Sequence, residues 1–355
     1  MNVYIMALEA IESRYTWYWE TELEKRINEY IKNDITLNEK NIKVITLKGD
    51  DEDNEVVATQ GAFLNFTTTN AWKNSQMNKL IGLFKSGEIK PKDKIIFPDA
   101  WHPGIIQVRY ISELTKVPVS IYSLWHAGSY DYQDFLGREI QDKSWVRHAE
   151  AAFFDASDYN LFATRFHKSM FMQTFKYRVN KNKAHIVGFP FQYIKDVKQP
   201  EVIKENIILF PHRISSEKQP QVFKELAKRI PEYQFIICQE KNLSKTQYGN
   251  LLARSKMVFS ANLQETLGIS CYEGAVNGAL PFVPDRLSYK EMYPKWCQYE
   301  GYLTGGSLES RYLDILSFMV KDMLANYDEH AKKLPSLVKR LDRFFTMDKM
   351  LQVIF

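Results

Sequence analysis

The chain predicts an α/β fold built from two doubly wound domains in tandem. Three observations carry this expectation. Short apolar runs alternate with longer helix-like segments, the alternation restarts near residue 206, and only helical patterns follow residue 307. Runs of about four to eight apolar residues between helical patterns mark strands of parallel sheets, which are covered on both faces and therefore apolar on both.

In chain order, the first series of strand-like runs is VYIMAL at 3–8, NIKVITL at 41–47, KIIFP at 94–98, VPVSIYSLW at 117–125, NLFATR at 160–165 and AHIVGF at 184–189. The second is NIILFP at 206–211, YQFIICQ at 233–239, KMVFSA at 256–261 and ALPFVP at 279–284. Between the series, PFQYIKDVKQPEVIKE at 190–205 has two prolines, mixed charge and no periodicity, which marks a boundary near residue 195. The expected domains are 1–195 and 196–339, with a last helix at about 340–355 packing back on the first. No internal repeat is evident.

The bulk numbers agree with two globular domains. The chain has 355 residues, 45% hydrophobic and 14% aromatic, enough to fill two cores. Its 47 basic and 43 acidic residues leave a net charge of +4, so a polyanion would have to meet a local patch. Cys238, Cys271 and Cys297 lack CxxC spacing, which fits a reducing cytoplasm and argues against a structural zinc. The opening MNVYIMALEAIESR carries acidic residues early and reads as a first strand, not a signal peptide. With no apolar run near the roughly 18 residues of a membrane span, a cytoplasmic chain without integral membrane association is expected. DEDNE at 51–55 contains a DxD triplet that could hold a divalent metal, but its acidic setting reads as a solvated surface.

Chemistry concentrates in the second series. NIILFPHRISSEKQPQVFKEL reads strand, loop, helix, with Arg213 and Lys218 five residues apart. Both cations can meet one anion at the carboxyl end of the strand, aided by the helix start, although taken alone such a pair is more often an ordinary solvated one. In KMVFSANLQETLGISCYEGAVNGALPFVPD, Glu265 and Glu273 are eight residues apart. That spacing recurs elsewhere in the chain, as in Glu12 and Glu20, so context decides. Only the 265/273 pair follows a buried strand and flanks a glycine-containing helix entry, where the amides of Thr266, Leu267 and Gly268 could face a diphosphate. Glu273 lies on an otherwise apolar helix, where a carboxylate needs a partner; a ribose diol is a suitable one.

This combination resembles the carboxy-terminal domain of retaining nucleotide-sugar glycosyltransferases of family 4, whose two-Rossmann architecture is called GT-B. The likeness spans about 206–285. It implies two Rossmann-like domains facing across a cleft, Arg213 and Lys218 as the diphosphate-binding pair, Glu273 on the nucleotide ribose and Glu265 at the transferred sugar. Thr266, Leu267 and Gly268 join the donor contacts. The substrate implied is a nucleoside diphosphate sugar, such as a UDP-sugar, with no metal and no further cofactor.

In the first domain, His126 ends a buried run at a strand's carboxyl end and resembles the family's histidine beside the transferred sugar. A lone histidine is otherwise more often structural. His102, in FPDAWHPG, has a similar position and is either an acceptor contact or a satisfied structural side chain. The loop after the first strand, ALEAIESRYTWYWETEL, departs from the family's glycine-rich turn and cannot approach phosphates as closely through its backbone. Arg14, Tyr15, Trp17 and Trp19 either form an acceptor surface or begin an amphipathic helix and pack beneath it. From Arg165 to Lys183 the chain carries Arg165, Lys168, Lys176, Arg178, Lys181 and Lys183 with no acid. This is either a solvated helix face or a patch for a phosphate backbone.

The Lys-, Asn- and Ile-rich composition is similar in style to that of bacteriophage enzymes that glycosylate hydroxymethylated pyrimidines in DNA. The expected acceptor is therefore double-stranded DNA carrying hydroxymethylated bases, with Glu12 or His102 assisting the acceptor hydroxyl. The alternatives are a glycosyltransferase of bacterial surface glycans, a nucleotide-sugar epimerase and a non-catalytic DNA-binding module.

Overall fold

The computed structural model describes residues 1–11, 14–50, 65–306 and 308–355. Among them, eleven strands form two sheets, every pairing parallel. The chain divides into two compact units. One comprises Met1–Ala163, His167–Pro190 and Met347–Phe355; the other comprises Thr164–Phe166 and Phe191–Thr346.

The first sheet has β1 (Val3–Met6), β2 (Val44–Leu47), β3 (Lys94–Phe97), β4 (Ser120–Trp125), β5 (Tyr159–Phe162) and β6 (Ala184–Ile186), in the order β2-β1-β3-β4-β5-β6. Burial follows position. The interior strand β1 is buried at every residue, whereas the edge strand β2 is only half-buried. An interior strand must be apolar on both faces, so these runs show no alternation. Tyr4, Ile95, Phe97, Ile121, Trp125, Phe162 and Phe171 form the centre of this core.

The second sheet has β7 (Glu205–Phe210), β8 (Gln234–Ile237), β9 (Ser255–Phe259), β10 (Leu280–Pro284) and β11 (Gln298–Tyr299), in the order β11-β10-β9-β7-β8. Each of the ten apolar runs read from the sequence carries a strand. The eleventh, β11, is an edge strand of two residues paired with Val283 and Pro284, too short to leave a pattern. Beyond residue 307 the described elements are the helices Ser310–Ala325, Tyr327–Ala331, Leu334–Phe345 and Asp348–Ile354. Among the described residues no helix is long and apolar enough to cross a membrane.

The strand orders fix where ligands would bind. In an open parallel sheet the crevice lies beyond the carboxyl ends of the strands, where successive connections leave in opposite directions. In the second sheet that point lies between β7 and β9, which brings residues 211–219 beside residues 260–268. In the first sheet it lies between β1 and β3.

Candidate functional site

In the second unit, the connections after β7 and β9 are joined directly. The Leu263 amide donates to the Glu217 carbonyl at 2.7 Å, and Lys218 Nζ donates to the Gln264 carbonyl at 2.5 Å. Lys218 is buried, and its ammonium also lies 3.5 Å from Glu265 Oε2. A buried charge persists only with a counter-charge and hydrogen bonds, and here the two ions supply each other. Asn262 Nδ2 donates to the same Glu265 oxygen at 3.0 Å. Burial alone would raise the Glu265 carboxyl, but Lys218, His212 and the amides of Gly268 and Leu267 outweigh it and hold the group below its ordinary value. Glu265 is thus a fixed anion at neutral pH.

The amides at the helix entry are already engaged. Thr266 N and Leu267 N donate to Glu265 Oε1 at 3.2 and 3.3 Å. The diphosphate expected to face these amides would therefore meet a carboxylate in its place, because Glu265 folds back onto the positive end of helix Ile269–Val276. Gly268 has a φ of 74°, and a Cβ there would stand 2.6 Å from the Tyr289 ring. Only glycine gives this left-handed entry beside a buried tyrosine.

Arg213 is on the same loop as Lys218, with its guanidinium more exposed and 3.2 Å from Glu217 Oε1. Glu273 sits further along helix Ile269–Val276 and accepts from the Tyr248 hydroxyl at 2.9 Å. Burial pushes its carboxyl up to about 7, with the Tyr248 bond pulling the other way. A carboxyl raised above its unfolded value favours folding only while protonated. The penalty is absent below about pH 4.5 and fully present above about 7. Glu273→Gln is therefore expected to stabilise the fold at pH 8 by up to about 3 kcal/mol and not at pH 4. Equal denaturant midpoints at pH 8 would contradict this.

In the first unit, His126 follows β4 and lies among Tyr15, Trp19 and Phe189, at ring distances of 5.8, 5.4 and 4.8 Å. Its Nε2 is 2.6 Å from the Pro98 carbonyl, so that nitrogen carries the proton, and Nδ1 accepts from the Tyr15 hydroxyl at 3.1 Å. Burial lowers the imidazole's affinity for a second proton, against the pull of Asp99, and pushes the Tyr15 phenol up to about 12. His126 is neutral, with a set tautomer.

The segment following β4 is pinned from below. Glu150, fully buried and pushed up to about 6 by that burial, accepts from Ser129 N at 2.6 Å and Ser129 Oγ at 2.8 Å. A Cβ on Gly128 would fall 2.4 Å from the Tyr130 ring.

Other expected residues land differently. His102 is buried, with Nε2 at 3.0 Å from Gln76 Oε1 and Nδ1 accepting from the Gly104 amide. Gln76 in turn donates to the carbonyls of Ala7 and Leu47. His102 therefore braces this region, and neither ring nitrogen is open to a ligand. Trp19 is buried on the inner face of helix Thr16–Asn33 with Leu23, Ile27 and Ile31, whereas Trp17 is half exposed and Arg14 lies 5.7 Å from the Tyr15 ring. The aromatic opening thus divides: Trp19 packs, and Tyr15 meets His126.

In the basic run, Lys168 and Lys183 donate to backbone carbonyls of Ala184, Asp155 and Ser157, while Lys176, Arg178 and Lys181 are exposed beside an 89% exposed Tyr177. Glu12 and the DxD triplet lie outside the described residues. Among the described residues no cluster of three or more His, Cys, Asp or Glu could hold a metal ion.

Sequence reasoning passed over Tyr248, Asn262, Gln264 and His212. Asn262 and Gln264 stand beside Glu265 in the chain, a signal that was legible. Tyr248 comes from a separate helix with no local cue.

No protein-family model and no curated protein matches the chain. Solved structures do. A sucrose-phosphate synthase from Thermosynechococcus elongatus superposes with a TM-score of 0.60 at 10% identity, over 99% of this chain and 97% of that one. The catalytic domain of starch synthase IV from Arabidopsis thaliana, bound to ADP and acarbose, gives 0.57 at 11% identity with the same coverage. A GtfA/B complex gives 0.55 at 12% identity over 79% of this chain, which spans 61% of the length of that one. At such identities the likeness shows the fold, the two-Rossmann α/β fold of these glycosyltransferases.

Proposed function

We propose that the protein is a retaining glycosyltransferase that moves a sugar from a nucleoside diphosphate donor, such as a UDP-sugar, to a hydroxyl acceptor. The observation that carries this reading is the meeting of Lys218 and Glu265 between β7 and β9, with Arg213 on the adjoining loop and Glu273 on the helix that Glu265 opens. Two cations are what a leaving diphosphate requires, since they offset charge that develops as the glycosidic bond breaks. Lys218 is fixed and Arg213 more exposed, so Arg213 is the one placed to turn onto an incoming phosphate. The phosphates compete with Glu265 for the amides of Thr266 and Leu267. Glu265, released from them, turns an oxygen to the sugar hydroxyls.

His126, neutral with Nε2 held by Pro98, contributes an oriented ring beside the transferred sugar and no charge. Tyr15 sets that orientation, and Arg14 and Trp17 lie beside it in the chain as acceptor contacts. No covalent nucleophile and no metal enters this mechanism.

Removal of the Arg213 guanidinium is expected to lower donor-dependent turnover roughly thirtyfold, the equivalent of about 2 kcal/mol of charge-assisted bonding. Steady-state kinetics of Arg213→Ala with a panel of sugar nucleotides test this, and a rate equal to the parent's argues against the assignment. A product assay separates transfer from epimerisation, in which the nucleotide sugar would be isomerised and remain free.

For the acceptor, we propose duplex DNA bearing hydroxymethylated pyrimidines. What supports it is the exposed Lys176, Arg178 and Lys181 with Tyr177, three cations and a stacking ring on one segment. Retention on such DNA that falls steeply between about 50 and 200 mM salt supports the reading. Flotation with anionic vesicles and no DNA retention would favour a surface-glycan acceptor.

A further inference from the structure

We infer that Tyr248 is a positioning residue for the nucleoside of the donor: its hydroxyl occupies Glu273 Oε2 and leaves Oε1 to accept the nucleoside's hydroxyls. The inference rests on the donor-site reading above and adds a residue outside the motif that suggested it.

Tyr248 is delivered by a rigid element. Helix Lys245–Arg254 starts in a capping box, Ser244 with Gln247, one turn before the tyrosine. The phenol meets Glu273 Oε2 at 2.9 Å, and among the described residues Oε1 makes no hydrogen bond. A carboxylate held by one oxygen cannot swing, so the direction in which the other accepts is set before a ligand arrives. Burial and the neighbouring Glu273 push the phenol well above its ordinary range, so it stays protonated and can only donate to the carboxylate.

Among the described residues, the titratable groups coupled to this pair are two thiols. Cys238, after β8, is pushed up to about 12 by burial and by Glu273, and Cys271, on the helix of Glu273 itself, is raised by burial and by Glu265. Both are neutral near pH 7, and among the described residues no cation contributes to the Glu273 shift. The Tyr248 hydroxyl is therefore the group that draws the Glu273 carboxyl toward its ionised form, against burial. With the carboxyl at about 7, the ionised fraction that binds hydroxyls changes across neutral pH.

Calorimetric binding of UDP and of ADP to the full chain, from about pH 5.5 to about pH 8.5, tests the inference through Tyr248→Phe, which keeps the ring and removes one oxygen. Phosphate titration is common to both proteins and cancels in their difference. In the variant the half-point of binding is expected to move up by about one pH unit. Affinity should fall about fivefold near pH 7, about tenfold near pH 5.5, and stay within about threefold of the parent's near pH 8.5. Glu273→Gln should flatten the profile. Binding with an unmoved half-point overturns the inference and leaves the donor site standing, whereas no binding of either nucleotide by the parent chain overturns both.

Discussion

Replacing Lys218 by alanine is expected to destabilise the second unit by about 3 kcal/mol, because it leaves the Glu265 carboxylate without its buried counter-charge. The side chain is 8% exposed, and its ammonium ties Gln264 and Glu265 to the strand-end loop before helix Pro220–Arg229. Its loss therefore frees both connections that meet between β7 and β9. The thermal midpoint should fall by on the order of 10 °C. Charge burial can be told from lost packing by the double variant Lys218→Ala with Glu265→Gln. Removing the orphaned charge should recover most of the loss, giving a favourable coupling in a double-mutant cycle. Additive losses would assign the effect to packing.

Glu265→Gln alone has the second large effect, expected in turnover. An amide can keep one oxygen on the Thr266 and Leu267 amides, but its nitrogen then confronts Asn262 Nδ2 and Lys218 Nζ, two donors facing a third. The flipped amide sets its nitrogen against the backbone donors instead. Neither orientation satisfies the site, and neither supplies negative charge to a sugar ring gaining positive charge. Under the proposed reaction, kcat should drop by about 10²- to 10³-fold. Binding of the bare nucleoside diphosphate should change by less than about tenfold, since the variant removes a charge that repels phosphate. A turnover within about threefold of the parent's would exclude Glu265 from the chemistry.

The sheets were legible because interior parallel strands must be apolar on both faces, and KIIF at 94–97 or LPFVP at 280–284 stand out against charged helices. β11 was not, since two residues on an edge have no period. At the site, the loop carrying Arg213 and Lys218 and the segment from Glu265 to Glu273 could be read because each is local in sequence. What could not be read was which groups satisfy one another. Lys218 meets Glu265 across 47 residues, Tyr248 reaches Glu273 from another helix, and His102 is braced by Gln76 across 26 residues. These pairings depend on strand order and helix placement, which the composition of a single segment does not encode. Trp17 and Trp19 make the same point at short range: two residues apart on one helix, the first is half exposed and the second buried.

Residues 347–355 belong to the first unit although 156 residues of the second, Phe191–Thr346, precede them. The Tyr122 hydroxyl donates to the Ile354 carbonyl, and Phe355 stacks on Tyr30 and lies near the Lys94 ammonium. A nascent chain emerging from the ribosome would thus complete its second unit before its first could close. Until then the first unit would leave the ring of Tyr30 and the polar ends of Lys94 and Tyr122 bare, a transient surface for chaperones or for misassociation. Trimming these nine residues should leave the second unit's melting transition intact and broaden that of the first.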